Sequence, residues 1–268
     1  MIQTFGSWLH DWLDVYKKPN LKPGSLVNLE ICIRKHIPEA VKDTPLSSLT
    51  PFAIQKALNT VSASRSRLYT YDIYGESLRR AHTLGMIERN PMANVDKVKH
   101  VRKVGKALNR QELEQFLIKI NNSNCRRVFL FYLYTGARRS EALTARWHGV
   151  DFENKRLTLY GTKTDKALRT IPLLPELSDL LKAMPRQGKE YIFSFTPDYI
   201  TREFKRLCPA HKLHDLRHTF ATRCLECGIS IKVLQQWLGH SRLETTSSIY
   251  VHVLDSFNRS EAEKFRLF

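Results

Sequence analysis

Leu157-Thr158-Leu159-Tyr160-Gly161-Thr162-Lys163-Thr164-Asp165-Lys166-Ala167-Leu168-Arg169-Thr170-Ile171-Pro172 decides the fold class of this 268-residue chain. Its two ends, Leu157–Tyr160 and Leu168–Pro172, flank the polar stretch Gly161 to Ala167, which is hairpin material. The strand reading extends from Val150 to Leu173, and the sequence on either side reads as helix. The expectation is a mainly α chain with a small antiparallel β-sheet, an α+β protein.

Upstream, Phe5, Trp8, Leu9, Trp12, Leu13 and Tyr16 recur at three- and four-residue spacing, the mark of an amphipathic helix. Asn20, Pro23 and Gly24 are read as its break. A second helix runs through Leu26, Leu29, Ile33 and Ile37, and Thr50-Pro51 opens a third with an N-cap hydroxyl and a first-turn proline. A fourth spans roughly Arg67 to Leu84 and ends at Gly85, ahead of Asn90-Pro91. These helices make a small domain over 1–95, followed at 96–106 by a linker with five Lys or Arg. A second domain, 107–268, begins with Asn109 and Glu112 at capping-box spacing. Residues 125–134 form an apolar helix that stops at Thr135-Gly136, and the pattern after Pro175 is again mainly helical.

The charge bounds the partners. Lys plus Arg number 43 against 26 Asp plus Glu, a net +17, and the excess is shared between residues 1–106 and the remainder. A polyanion touched by both halves is the inference. Lys17, Lys18, Lys22, Arg34, Lys35, Arg65, Arg67 and Arg79 are candidate phosphate contacts, with Lys97, Lys99, Arg102 and Lys103 in the linker. For any one of them a solvated helix face is the competing reading. Five scattered cysteines do not make a disulfide framework and fit a reducing cytosol. Cys224-x-x-Cys227 lacks a second pair at zinc spacing and reads as buried thiols. No membrane span or signal peptide is expected, so a soluble cytoplasmic protein follows.

A few polar residues stand out for chemistry. A phosphodiester is an anion whose non-bridging oxygens must be neutralised before attack, and a guanidinium is always charged and bonds two oxygens at once. Arg138 and Arg217 are the candidates. Arg138 follows Thr135-Gly136-Ala137 just past a helix end, and Glu141, three residues on, orients it or a neighbour. His214 and Arg217 are spaced i, i+3 and share a helix face, so an imidazole and a guanidinium can meet one phosphate. His218 lies four residues after His214, but the zinc-protease pattern needs glutamate where Asp215 stands, and Arg217 repels a cation. No metal is expected there. Lys163, at the hairpin tip, can give a proton to a leaving oxygen, with Lys166 as its rival. Tyr250 is the nucleophile candidate, a phenol of ordinary pKa about 10 that needs cations such as Arg138, Arg217, His214 and His240 to stabilise its phenolate.

The order Thr-Gly-x-Arg138, hairpin Lys163, His214-x-x-Arg217, Gly239-His240 and Tyr250 resembles the tyrosine recombinase (phage integrase) family. Residues 135–143, 214–222 and 238–253 resemble its sequence boxes, while 18–23 and 89–92 are similar to its helical core-binding domain. The resemblance implies a two-domain C-shaped clamp: a SAM-like core-binding domain over 1–95, a basic linker, and a catalytic domain over 107–268. It also implies roles. Arg138 and Arg217 bind the scissile phosphate, Lys163 acts as general acid on the 5′ oxygen, and His214 is an acid/base. His240 donates a hydrogen bond to the phosphate, and Tyr250 attacks to leave a 3′-phosphotyrosine. That intermediate conserves bond energy, so no cofactor, metal or ATP is required. The implied partner is double-stranded DNA with paired core sites, bound by a homotetramer through a four-way junction, with accessory DNA-bending proteins in some systems. The implied setting is bacterial, phage or plasmid-encoded, with residues 251–268 as a tail that docks on a neighbouring subunit.

Two features depart from the family pattern. Ten positions separate His240 from Tyr250, one more than the pattern leads one to expect. The helical domain starts almost at Met1, without a separate arm-binding domain, which favours a simple recombinase of the plasmid multimer-resolution kind. Two other functions compete. A type IB topoisomerase usually carries Lys where His214 stands, and a non-catalytic DNA-binding descendant of an integrase has no reason to keep all six site residues.

Overall fold

The computed structural model describes residues 3–101, 105–161, 168–186 and 188–239. The chain forms two compact units, Met1–Arg102 and Lys103–Phe268.

The first unit is helical. Its α1 (Phe5–Trp12) is opened by a capping box between Thr4 and Ser7 and continues as one π-helical turn over Leu13–Lys17. Then come α2 (Pro23–His36), the short α3 (Glu39–Lys42), α4 (Pro51–Asn59) and α5 (Ser64–Thr83). Pro23 and Gly24 thus start α2 rather than merely breaking α1. Pro23 sits at the first helical position, where the missing N–H would have no partner anyway. Phe5, Trp8, Leu9 and Trp12 of α1 pack with Ile54 and Leu58 of α4 and with Ile73, Tyr74 and Leu78 of α5. Two buried polar tips are satisfied across this core: Trp8 Nε1 donates to the Ser77 carbonyl at 3.1 Å, and the Tyr74 hydroxyl to the His36 carbonyl at 3.0 Å.

In the second unit, Asn109 and Glu112 close a capping box at the start of α6 (Arg110–Ile120). It is followed by α7 (Arg126–Thr135) and α8 (Arg139–Leu143). Strands β1 (Val150–Asp151), β2 (Arg156–Tyr160) and β3 (Leu168–Pro172) form an antiparallel sheet in the order β1-β2-β3, with Leu157 opposite Ile171 and Leu159 opposite Arg169. Helices α9 (Pro175–Lys182), α10 (Pro197–Leu207), α11 (Asp215–Glu226) and α12 (Ile231–Leu238) complete the described part. Leu157, Leu159 and Ile171 turn inward onto a core that includes Phe116, Phe129, Phe131, Phe204 and Leu216. Phe220, Cys224, Leu234 and Leu238 form a separate cluster between α11 and α12. Cys224 is buried as the sequence suggests, but Cys227 caps the end of α11 and is exposed. Among the described residues no helix is long and apolar enough to cross a membrane.

Candidate active site

Helix α7 ends at Gly136, whose φ of 57° belongs to the left-handed region that glycine adopts without strain. A Cβ there would also stand 2.4 Å from Phe220 Cδ1 on α11, so the turn needs glycine twice over. The turn delivers Arg138 as the N-cap of α8. Its backbone N–H donates to Glu141 Oε2 at 2.8 Å, and its Nη1 donates to Glu141 Oε1 at 2.6 Å. One carboxylate therefore caps the helix and aims the guanidinium. Glu141 is buried and also accepts from Arg169 Nη2 at 2.8 Å, while Arg217 Nη1 lies 3.9 Å away. Burial alone would raise the Glu141 pKa; the Arg169 charge and the bonds from Arg138 outweigh it and hold the carboxyl at about 2. Glu141 is thus an anion at neutral pH.

Arg217, in the first turn of α11, is buried. Its Nη1 donates to the Gly136 carbonyl at 2.7 Å and its Nη2 to the Leu238 carbonyl at 2.6 Å. Those carbonyls end α7 and α12, where the aligned peptide dipoles favour a cation. Arg138 Nη2 donates to the next carbonyl, that of Gly239, at 3.3 Å. The end of α12 thus anchors both arginines.

His214 is the N-cap of α11 and keeps an open edge to solvent. Its ring meets that of His218 edge to face, with centroids 5.1 Å apart. The protein around the ring, then the charges of His218, Arg217 and Arg138, push its pKa down to about 4, while Asp215 acts the other way. His214 is therefore a neutral imidazole at physiological pH, able to accept a proton. Among the described residues no three His, Cys, Asp or Glu side chains converge as metal ligands.

Arg138, Arg217, Glu141 and His214 are thus brought together from α8 and α11. Lys163, its rival Lys166, His240 and Tyr250 lie outside the described residues, as do Arg102 and Lys103. In the first unit, Arg34 and Lys35 in the last turn of α2, Arg65 and Arg79 on α5, and Lys22, Lys97 and Lys99 are exposed. Lys18 is exposed but pairs with Asp14 at 3.3 Å. Lys17 is bound to Glu76 and lies over the Trp12 ring, and half-buried Arg67 donates to the Val61 carbonyl at 2.8 Å. These last two support the fold.

Two buried polar residues were not singled out in the sequence, Arg169 within the site and His211 near it. Arg169 of β3 is buried beside Glu141. The signal was strand phase: Leu168 points out and Arg169 points in with Ile171, the reverse of what their polarity suggests. His211 is buried between Glu112 Oε1 at 3.3 Å and Asp215 Oδ2 at 3.4 Å, joining the starts of α6 and α11.

The sequence model of the Phage integrase family covers residues 106–256, more than half of the chain, and that of the phage integrase N-terminal SAM-like domain covers 4–62. A tyrosine recombinase XerC-like protein of Caldanaerobacter subterraneus subsp. tengcongensis is 23% identical over 94% of this chain and 80% of its own. A lambda integrase dimer bound to a COC′ core site superposes with a TM-score of 0.80 at 22% identity, covering 92% of this chain and 77% of that one. The lambda integrase tetramer bound to a Holliday junction gives 0.78 at 22% identity, over 90% and 78%. Both units carrying the corresponding family pattern, the chain belongs to the phage integrase family, the tyrosine recombinases.

Proposed function

We propose that this tyrosine recombinase cuts and rejoins DNA at specific sites through a 3′-phosphotyrosine and a four-way junction, with Tyr250 as nucleophile. The observation that carries the reading is the pairing of two arginines on one buried glutamate and one helix end, beside a histidine held neutral. Arg138 and Arg217 neutralise the non-bridging oxygens of the scissile phosphate. His214 takes the phenolic proton as Tyr250 Oη attacks phosphorus and the bond from phosphorus to the 5′ oxygen breaks. Lys163 gives the leaving oxygen its proton, and His240 donates a hydrogen bond to the phosphate. Attack by the 5′-hydroxyl of a partner strand then expels the tyrosine, with no net consumption of bond energy.

The domain roles follow: residues 1–95 bind the core site, 96–106 cross the DNA as a basic linker, and 107–268 carry the chemistry. The exposed cations of α2 and α5 contact phosphates, and four subunits act on paired core sites of duplex DNA. The working compartment is the cytoplasm.

Trapping tests the reading. The protein and Tyr250→Phe are incubated with supercoiled DNA carrying the locus that flanks the gene, then quenched with detergent. A protein-linked nick with the parent chain and none with Tyr250→Phe is expected, and mapping it gives the site. An equal adduct from the Phe variant overturns the assignment of Tyr250.

A further inference from the structure

Arg169 occupies a position where its strand calls for a hydrophobe. It faces Leu159 across the β2–β3 ladder and points into the unit beside buried Ile171, with only 8% of its surface exposed. Of its three nitrogens, Nη2 bonds Glu141, while Nε and Nη1 are buried without a hydrogen-bond partner among the described residues. Burying a guanidinium removes its hydration, and among the described residues a single bond to Glu141 is what its three nitrogens receive in return, so a methionine or leucine would serve stability at least as well. The position is therefore explained by charge rather than packing.

That charge acts through Glu141. The glutamate gives Oε1 to Arg138 Nη1 and Oε2 to both the Arg138 backbone and Arg169 Nη2. Fixed from two sides, the carboxylate has one orientation available, and Arg138 inherits it. Arg169 also balances a glutamate that would otherwise cancel the charge of Arg138. Its aliphatic stem completes the lock from below: a Cβ at Gly239 would stand 2.9 Å from Arg169 Cδ, and the Gly239 carbonyl is the other acceptor for Arg138.

We infer that Arg169 is a positioning residue for strand cleavage: through Glu141 and the end of α12 it sets the direction and the uncancelled charge of Arg138 at the scissile phosphate. The inference rests on the reading of Arg138 as a phosphate ligand.

The test uses a duplex spanning the nick mapped by trapping, made with either a normal phosphate or a neutral methylphosphonate at the scissile position. Rates of covalent adduct formation are measured at saturating protein for the parent chain, Arg169→Met, Arg169→Lys and Arg138→Ala. A residue that works only by aiming positive charge is needed for the charged substrate and dispensable for the neutral one. Arg169→Met is expected to slow cleavage of the phosphate about tenfold to a hundredfold, the scale set by a misplaced catalytic group, and to leave the methylphosphonate rate within about twofold of the parent. Arg169→Lys, which keeps the charge but not the fork, should show the same selectivity in weaker form, and it carries the comparison if the Met variant does not fold. Equal losses on both substrates, or no loss on either, overturn the inference. If Arg138→Ala itself lacks the selectivity, the phosphate-ligand reading fails; if Arg138→Ala shows it and the Arg169 variants do not, only the role of Arg169 fails.

Discussion

The cations of the first unit and the arginines of the second obey different rules. Arg34, Lys35, Arg65 and Arg79 stand in solvent, where each is screened and free to choose among rotamers. Arg169 and Arg217 are buried, and with Arg138 they are aimed by one glutamate and by the carbonyls that end two helices. Solvated charge gives affinity and speed of encounter, and it tolerates imprecision. Desolvated charge held in a fixed direction is what a reacting phosphate requires, because its reorganisation is completed before the substrate arrives. Under the proposed function, the two units divide the labour of holding DNA and acting on it.

The comparison breaks most readily at Glu141. Glu141→Gln leaves Arg169 buried without a counter-charge, and denaturant unfolding of the second unit should show a loss of about 3–5 kcal/mol; a loss under about 1 kcal/mol would mean the arginines do not depend on it. The same carboxyl sets an acid limit. Its pKa of about 2 lies below its ordinary 4.5, so its contribution is present above pH 4.5 and disappears as pH falls toward 2. In Glu141→Gln that part of the pH-stability curve should flatten.

Arg138→Ala should slow adduct formation about a hundredfold to a thousandfold at saturating protein while changing DNA affinity little, as gel shift will report. Parallel losses in both would place Arg138 with the surface cations. His214 gives a smaller, pH-dependent effect. Its folded pKa of about 4 lies below the ordinary 6.5, so protonation favours the unfolded chain, and stability is lost as pH drops from 6.5 toward 4. NMR titration of the free protein should find a neutral His214 ring from pH 8 to about 5; a midpoint near 6.5 would show that its packing exerts no such pressure.

The smallest expected effects sharpen the other side. Lys35→Ala should lower the salt dependence of DNA binding by about one unit of log–log slope and leave cleavage at saturation unchanged. Lys17→Ala should change the slope less, since Glu76 is already its counter-ion. Equal slopes for the two would erase the distinction between free and paired cations.

Much of this was legible in the sequence because it is local. The hairpin, the Asn109–Glu112 box, the Thr50-Pro51 start and the Gly136 stop all depend on residues within a few positions of one another. Pro23-Gly24 carries a second meaning that local pattern leaves open, because the same pair that interrupts one helix is well suited to begin the next. What escaped was tertiary. Lys17 meets a glutamate 59 positions away, and Arg169 meets one 28 positions away. The His214 pKa arises from neighbours that only the folded α8–α11 arrangement supplies. The inward phase of Arg169 was present in the strand pattern, but a charged residue in a basic chain is naturally assigned to the surface.

The shared anchorage of Arg138 and Arg217 on the end of α12 also fixes an origin for the chain that follows. Gly239 is pinned by Arg138 and stands eleven residues before Tyr250. Chain geometry alone confines the Tyr250 Cα to within about 40 Å of the Gly239 Cα. Because the Leu238 and Gly239 carbonyls accept from Arg217 and Arg138, a shift of α12 moves both guanidiniums and the point from which the chain continues toward Tyr250 as one unit; under the proposed function, the phosphate site and the root of the nucleophile therefore move together.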